Sequence, residues 1–103
     1  MTDRKHHHTQ PFTLDPRRRL LTIGDKQHAL THKECRLLQL FLEHPQEVLS
    51  RRFLMKAVWD TEYLGDTRTL TVHVCWLREK LGDHPPRRLI TVRGVGYCFN
   101  GPA

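Results

Sequence analysis

Long apolar runs are missing from this 103-residue chain, so no segment approaches the roughly 18 residues that a membrane-spanning helix needs. The start, MTDRKHHHTQ, has no apolar stretch of the kind found in secretion signals, and the expected compartment is the cytoplasm, away from any membrane. Cysteine is scarce. Cys35, Cys75 and Cys98 are odd in number, widely spaced and free of any Cys-x-x-Cys pair, which argues against a disulfide framework and against a zinc knuckle. Catalytic signatures are absent too: there is no glycine-rich phosphate loop, no paired-carboxylate pattern and no cysteine with an evident histidine partner. No enzyme, cofactor or metal site is therefore expected. Acidic residues are outnumbered, 11 against 17 Lys and Arg, giving a formal charge of +6 and a pI near 9.7. Such a balance favours a polyanionic partner without identifying one.

What is present suits one globular domain. Hydrophobic residues make up 38% and charged residues 27%, outside the range of disordered chains, and the length supports a single core. Residues 1–11 are polar, include His6 to His8 and end at Pro11, so they read as a linker or tag outside the domain. The domain should span residues 12–100, with 101–103 as a tail. From Phe12 to Leu30, the short pieces FTL, RLLTI and QHAL are separated by Asp15-Pro16 and Gly24-Asp25, the residues that tight turns prefer. A small antiparallel sheet is expected there.

The period then changes to that of helices. Thr31 with Glu34 three residues on forms a capping box, and Leu30 with Cys35 a hydrophobic staple, so a first helix starts here and stops near His44, before Pro45. Cys35 shares a helical stripe with Leu38 and Leu42 and reads as a small buried hydrophobe. Ser50 caps a second helix carrying Phe53, Leu54, Ala57 and Val58. Arg51 and Arg52 lie in its first turn, where cations oppose the helix dipole; either they await an anion or they are simply solvated.

A third helix, residues 67–81, is predicted to follow an Asp66 cap and to end at Gly82. At about 100° per residue, Leu70, Val74, Leu77 and Leu81 form its core stripe. The opposite sector gathers Arg68, Thr69, Val72, Cys75, Trp76 and Glu79, so an aliphatic and an aromatic residue stand where water is expected. A DNA major groove, with thymine methyls beside guanine acceptors, suits that mixture. The alternative for Trp76 is packing on a neighbouring loop. After Pro85-Pro86, Leu89 to Val92 and Tyr97 to Phe99 should form two strands around Arg93-Gly94-Val95-Gly96, whose glycines allow a tight turn.

LTHKE, VLSRRFLMKAVW, DTRTLTVHVCWLREKLG and ITVRGVGYCF together resemble, in order and spacing, the OmpR/PhoB-type effector domain of bacterial two-component response regulators. The resemblance spans about residues 12–100. It implies an α+β winged helix-turn-helix: a four-stranded N-terminal antiparallel sheet, three helices and a C-terminal β-hairpin wing. It further implies sequence-specific binding to double-stranded promoter DNA at direct repeats by head-to-tail protomers. The third helix would enter the major groove and the wing, residues 91–97, would reach the minor groove. Carried over to this sequence, the DNA-contacting positions are Arg51, Arg68, Thr69, Val72, His73, Cys75, Trp76, Arg78, Thr91 and Arg93. Arg51, Arg68, Arg78 and Thr91 are assigned to phosphates, Arg93 to the minor groove, and Thr69, Val72, His73 and Trp76 to base edges; a structural role is the alternative for His73. The segment from Trp59 to Thr67 resembles the loop that contacts RNA polymerase, and its Asp60, Glu62 and Asp66 make it acidic, which suits a protein partner. Core packing is the other reading of Trp59.

Three positions depart from the family's usual pattern. Thr71 stands where an aspartate is usual, and Cys75 and Trp76 where basic residues are frequent. Base preference therefore cannot be borrowed, and the loss of two cations should move weight from phosphate attraction toward apolar contact with thymine methyls. The family's receiver domain lies outside this sequence; either the domain stands alone as an effector or, as the polar start favours, residues 1–11 are the end of a linker from a receiver. Two rival classes remain open: a winged-helix protein-interaction module, favoured by the Val72, Cys75 and Trp76 patch, and a cysteine- or histidine-based redox or metal sensor, for which no ligand set is legible.

Overall fold

The computed structural model describes residues 11–61 and 67–100. Three short strands open the fold, β1 (Phe12–Asp15), β2 (Leu20–Ile23) and β3 (Lys26–Ala29), paired antiparallel in the order β1-β2-β3. Asp15 shapes the first turn by accepting from the backbone N–H groups of Arg17 and Arg18. Helix α1 (His32–Glu43) begins at the expected capping box: Thr31 Oγ1 accepts from Glu34 N–H at 3.1 Å, and Glu34 Oε1 accepts from Thr31 N–H at 2.8 Å. Leu30 and Cys35 are both buried beside it, and burial pushes the Cys35 thiol up from its ordinary value.

The next element is one the sequence reading did not separate. Val48–Ser50 is a strand, β4, which runs antiparallel to β6. Among the described residues the N-terminal sheet has three strands rather than four, and the wing is a three-stranded sheet, β4-β6-β5, rather than a bare hairpin. Three residues offer no alternation for a period to reveal, and β4 is held by backbone pairing with residues nearly fifty positions away. Helix α2 (Arg51–Trp59) follows at once. Ser50 Oγ caps it by accepting from Phe53 N–H at 3.0 Å, and Asp60 ends it in the left-handed conformation, φ 55°.

Helix α3 (Arg68–Leu81) has Thr67 in the cap position, without a side-chain cap bond; the expected cap, Asp66, lies outside the described residues. Gly82, at φ 67°, closes the helix in the left-handed conformation, as its lack of a Cβ permits. The predicted stripe Leu70, Val74, Leu77 and Leu81 is buried and joins α1 and α2 in one core with Leu37, Leu38, Phe41, Leu54 and Phe99. Beside that core stripe, α1 and α3 are also joined by a polar contact: the buried Glu34 accepts from Lys80 Nζ at 2.8 Å. Strands β5 (Leu89–Val92) and β6 (Gly96–Phe99) complete the fold in the register Thr91↔Tyr97 and Val92↔Gly96. The connection from α3 to β5 is organised by the buried Asp83, whose carboxylate accepts from the N–H groups of Arg87, Arg88 and Leu89. Arg88 lies with its guanidinium 4.9 Å from the centre of the Phe12 ring; burial holds its pKa below the ordinary value, against the pull of Asp83.

Candidate nucleic-acid interface

Because its core stripe is fully committed, α3 has only one face to offer, and side-chain exposure follows the helical period. Arg68, Val72, Cys75, Trp76 and Glu79 are exposed and Thr69 is half-buried. Val72 and Trp76 keep 40% and 44% of their surface, and because they stand one helical turn apart they expose apolar area together rather than singly. The expected outer face is therefore present as a continuous surface.

His73 is placed differently from the residues around it. It is half-buried, and its Nδ1 lies 2.7 Å from the Thr69 carbonyl oxygen. A carbonyl only accepts, so Nδ1 carries the proton. The imidazole lies between two indoles, 5.1 Å from Trp59 in an edge-on pairing at 83° and 5.0 Å from Trp76 at 54°. Trp59 is packed against the core. An aromatic file thus runs from α2 through His73 to the exposed Trp76.

The wing meets the helices at Tyr97, a residue that sequence reasoning treated only as part of a strand. Tyr97 is buried, and its ring is flanked by two guanidiniums, Arg51 at 5.4 Å and Arg78 at 6.0 Å from the centroid. Arg78 donates from Nε and Nη2 to the Leu89 carbonyl, at 3.0 and 2.7 Å, and from Nη2 to Thr91 Oγ1 at 2.9 Å. It therefore braces α3 against β5, and fixes Thr91 as it does so. The start of α2 is tied to the same place, since Arg51 N–H donates to the Val95 carbonyl at 3.3 Å. That bond and the Ser50 cap use two of the N–H groups that an anion at this terminus would otherwise share. Arg52 is exposed beside them. A tyrosine one residue beyond a glycine-tipped turn, opposite two predicted basic contacts, was the signal for this junction.

At the tip, Arg93 is exposed on the turn, Gly94 adopts φ 77° and Val95 keeps 49% of its surface. Gly96 serves a different need, because an added Cβ would overlap the Leu49 carbonyl oxygen and stand 2.9 Å from Ser50 Cα. Close approach of β6 to β4 is what requires glycine there. Of the ten expected DNA contacts, the structure gathers Arg68, Thr69, Val72, Cys75 and Trp76 on one face of α3 and Arg51, Arg78 and Thr91 at the wing base, sets Arg93 apart on the tip, and holds His73 half-buried between Trp59 and Trp76. In the acidic segment, Trp59 is half-buried and Asp60 is exposed, paired with Lys56 at 3.4 Å; Glu62 and Asp66 lie outside the described residues. Among the described residues no group of histidine, cysteine or carboxylate side chains is arranged to hold a metal ion, and no helix is long and apolar enough to cross a membrane.

Comparison with known proteins agrees with this geometry. Residues 25–99 match the family described as transcriptional regulatory protein, C terminal. The alkaline phosphatase synthesis transcriptional regulatory protein SphR of Synechococcus elongatus is 46% identical over 77 residues, which is 73% of this chain and 30% of that protein. The chain spans about a third of the length of the curated relatives it matches. Among solved structures, the DNA-binding domain of Klebsiella pneumoniae RstA, in complex with the RstA box, superposes with a TM-score of 0.77 at 32% identity, covering 86% of this chain and 90% of that one. The DNA-binding domain of CpxR from Escherichia coli gives a TM-score of 0.77 at 29% identity, covering 89% and 92%. Family match, relatives and superposition converge, and the chain belongs to the transcriptional regulatory protein C-terminal family, the OmpR/PhoB-type winged-helix DNA-binding domains of response regulators.

Proposed function

We propose that residues 12–100 bind double-stranded promoter DNA sequence-specifically, with the outer face of α3 in the major groove and the wing tip at the minor groove, and so regulate transcription as the effector domain of a response regulator. The observation that carries this reading is the bracing of α3 to the wing by Arg78, which holds two separate contact surfaces in one fixed relation. In this assignment Arg68, Arg51 and Thr91 meet phosphates, which set register without reading sequence. Arg78 meets the backbone from its braced position beside Tyr97, and Arg93 enters the minor groove, whose negative potential is strongest where A·T pairs narrow it. Thr69, Val72, Cys75 and Trp76 meet base edges.

The same reading places the chain in the cytoplasm, joined in its full-length protein to a receiver domain and binding direct repeats head to tail. The acidic segment around Trp59, Asp60, Glu62 and Asp66 is assigned to RNA polymerase. Its support is the exposure of Asp60 at the end of α2 together with the acidic residues that follow in the sequence, which suit a protein partner better than DNA.

A second reading, a protein-interaction module, is favoured by one observation, the exposed Val72, Cys75 and Trp76 patch. Selection from a random duplex pool at about physiological salt, where purely electrostatic binding is suppressed, separates the two. Enrichment of a short motif, repeated about one helical turn apart, is the expected outcome. Weak binding that vanishes as salt rises, with no motif, would overturn the first reading and favour the second.

A further inference from the structure

We infer that Trp76 is a specificity residue that reads a thymine methyl, and that His73 is a positioning residue that presets its indole for that contact; the inference rests on the DNA-binding reading above. Exposed aromatic side chains ordinarily sample several rotamers, and a contact made by a mobile ring must first order it. Here the ordering is built into the fold. Trp59 is packed on the core, His73 sits edge-on to it at 5.1 Å, and Trp76 leans on His73 at 5.0 Å, all within the range in which aromatic pairs attract. The bond from His73 Nδ1 to the Thr69 carbonyl, 2.7 Å, stops the imidazole from turning away. Trp76 still keeps 44% of its surface, so the file ends in a ring that is held and open at once.

What that ring meets follows from its neighbours. Val72 lies one turn back and Cys75 alongside, both exposed, so the middle of the outer face offers no guanidinium or ammonium fork to the guanine acceptors O6 and N7. Glu79, one turn onward and also exposed, only accepts hydrogen bonds and so gives the guanine acceptors nothing either. The apolar feature of the major groove is the thymine C5 methyl. An indole fixed beside a valine is a surface for that group, and His73 acts through the indole rather than on a base itself.

The test uses the intact chain and the site obtained from the random-pool selection, with each thymine replaced in turn by deoxyuridine, which lacks only the methyl. Wild-type protein is expected to lose about fourfold in affinity at one or two thymines, the value of one buried methyl group. Trp76→Ala should bring the thymine-to-uracil ratio there close to one. His73→Ala should bring it below about twofold, and His73→Phe, which keeps a ring but loses the hydrogen bond that holds it, should restore only part of it. The ratio compares two DNAs on one protein preparation, so partial unfolding of a variant cancels. Equal binding of thymine and uracil at every position, or a ratio untouched by Trp76→Ala, overturns the inference while leaving sequence-specific binding intact. Failure to enrich any site overturns the DNA reading and the inference together.

Discussion

The base and the tip of the wing carry the same residue type under opposite conditions. At the base, Arg78 is held by three hydrogen bonds and shares the Tyr97 ring with Arg51. At the tip, Arg93 stands exposed on a turn that Gly94 completes at φ 77°, and its side chain is not fastened there. The first arrangement fixes where the recognition helix lies relative to the wing; the second leaves a long cation able to follow a groove whose width varies with sequence. Rigidity is placed where two surfaces must keep register and withheld where one side chain must adapt.

The sharpest way to break that contrast is at Gly96. Gly96→Ala drives a Cβ into the Leu49 carbonyl, and both partners are backbone in paired strands, so nothing flexible can yield. The expected cost is about 3 kcal/mol, at the upper end of overpacking penalties, read as a lower urea midpoint, together with loss of specific DNA binding because the base that carries β4 and the start of α2 separates. A variant with wild-type stability would show that β4 is not held against the wing as described.

Arg78→Ala should come next. Removing bonds from a charged donor to the Leu89 carbonyl and Thr91 costs about 1.5 kcal/mol, toward the low end for such bonds because the site is partly open to water. Affinity for DNA should fall as well, since α3 and β5 lose their brace. Arg78→Lys should recover little of either, because an ammonium cannot reproduce the planar fork that spans the carbonyl and the hydroxyl. Unfolding curves and binding titrations on the same preparations check both halves; a variant weakened only in DNA binding would mean that Arg78 acts as a phosphate contact alone.

Much of this arrangement was legible in the sequence where local chemistry dictates local structure. Thr31 and Glu34 announced their capping box, Ser50 its cap, Gly82 its helix end and the Leu70-to-Leu81 stripe its burial, because each depends on residues three or four apart. The exposed mixture on α3 was legible for the same reason. What escaped depends on distant partners. Strand β4 is defined by pairing with Cys98, Tyr97 and Gly96, Lys80 meets Glu34 from forty-six residues away, and Asp83 takes three backbone N–H groups in a connection with no period. His73 shows the limit most clearly. Its position on the helical wheel allowed either a base contact or a structural role, and only the placement of Trp59, on another helix, reveals the file of rings in which it stands.

The smallest effect on the fold is expected at the tip. Arg93 is exposed and has no side-chain hydrogen bond or ion pair among the described residues, so Arg93→Ala should leave stability within about 0.5 kcal/mol of wild type. Its effect on binding should have a distinctive form. If the guanidinium enters the minor groove as a cation, its removal lowers affinity for the selected site and reduces the slope of log affinity against log salt by about one. The loss should be greatest for sites whose wing-facing step is A·T-rich and nearly absent where it is G·C-rich, because narrowing of the groove is what raises the potential there. Arg78→Ala, by contrast, should weaken binding at both kinds of site, since a misplaced wing is misplaced whatever sequence it faces. Titrating both variants against the two DNAs at several salt concentrations distinguishes an arginine that reads shape from one that maintains it. Equal losses for Arg93→Ala on both DNAs would reduce the tip to a general phosphate contact, and the contrast between tip and base would then be one of exposure alone.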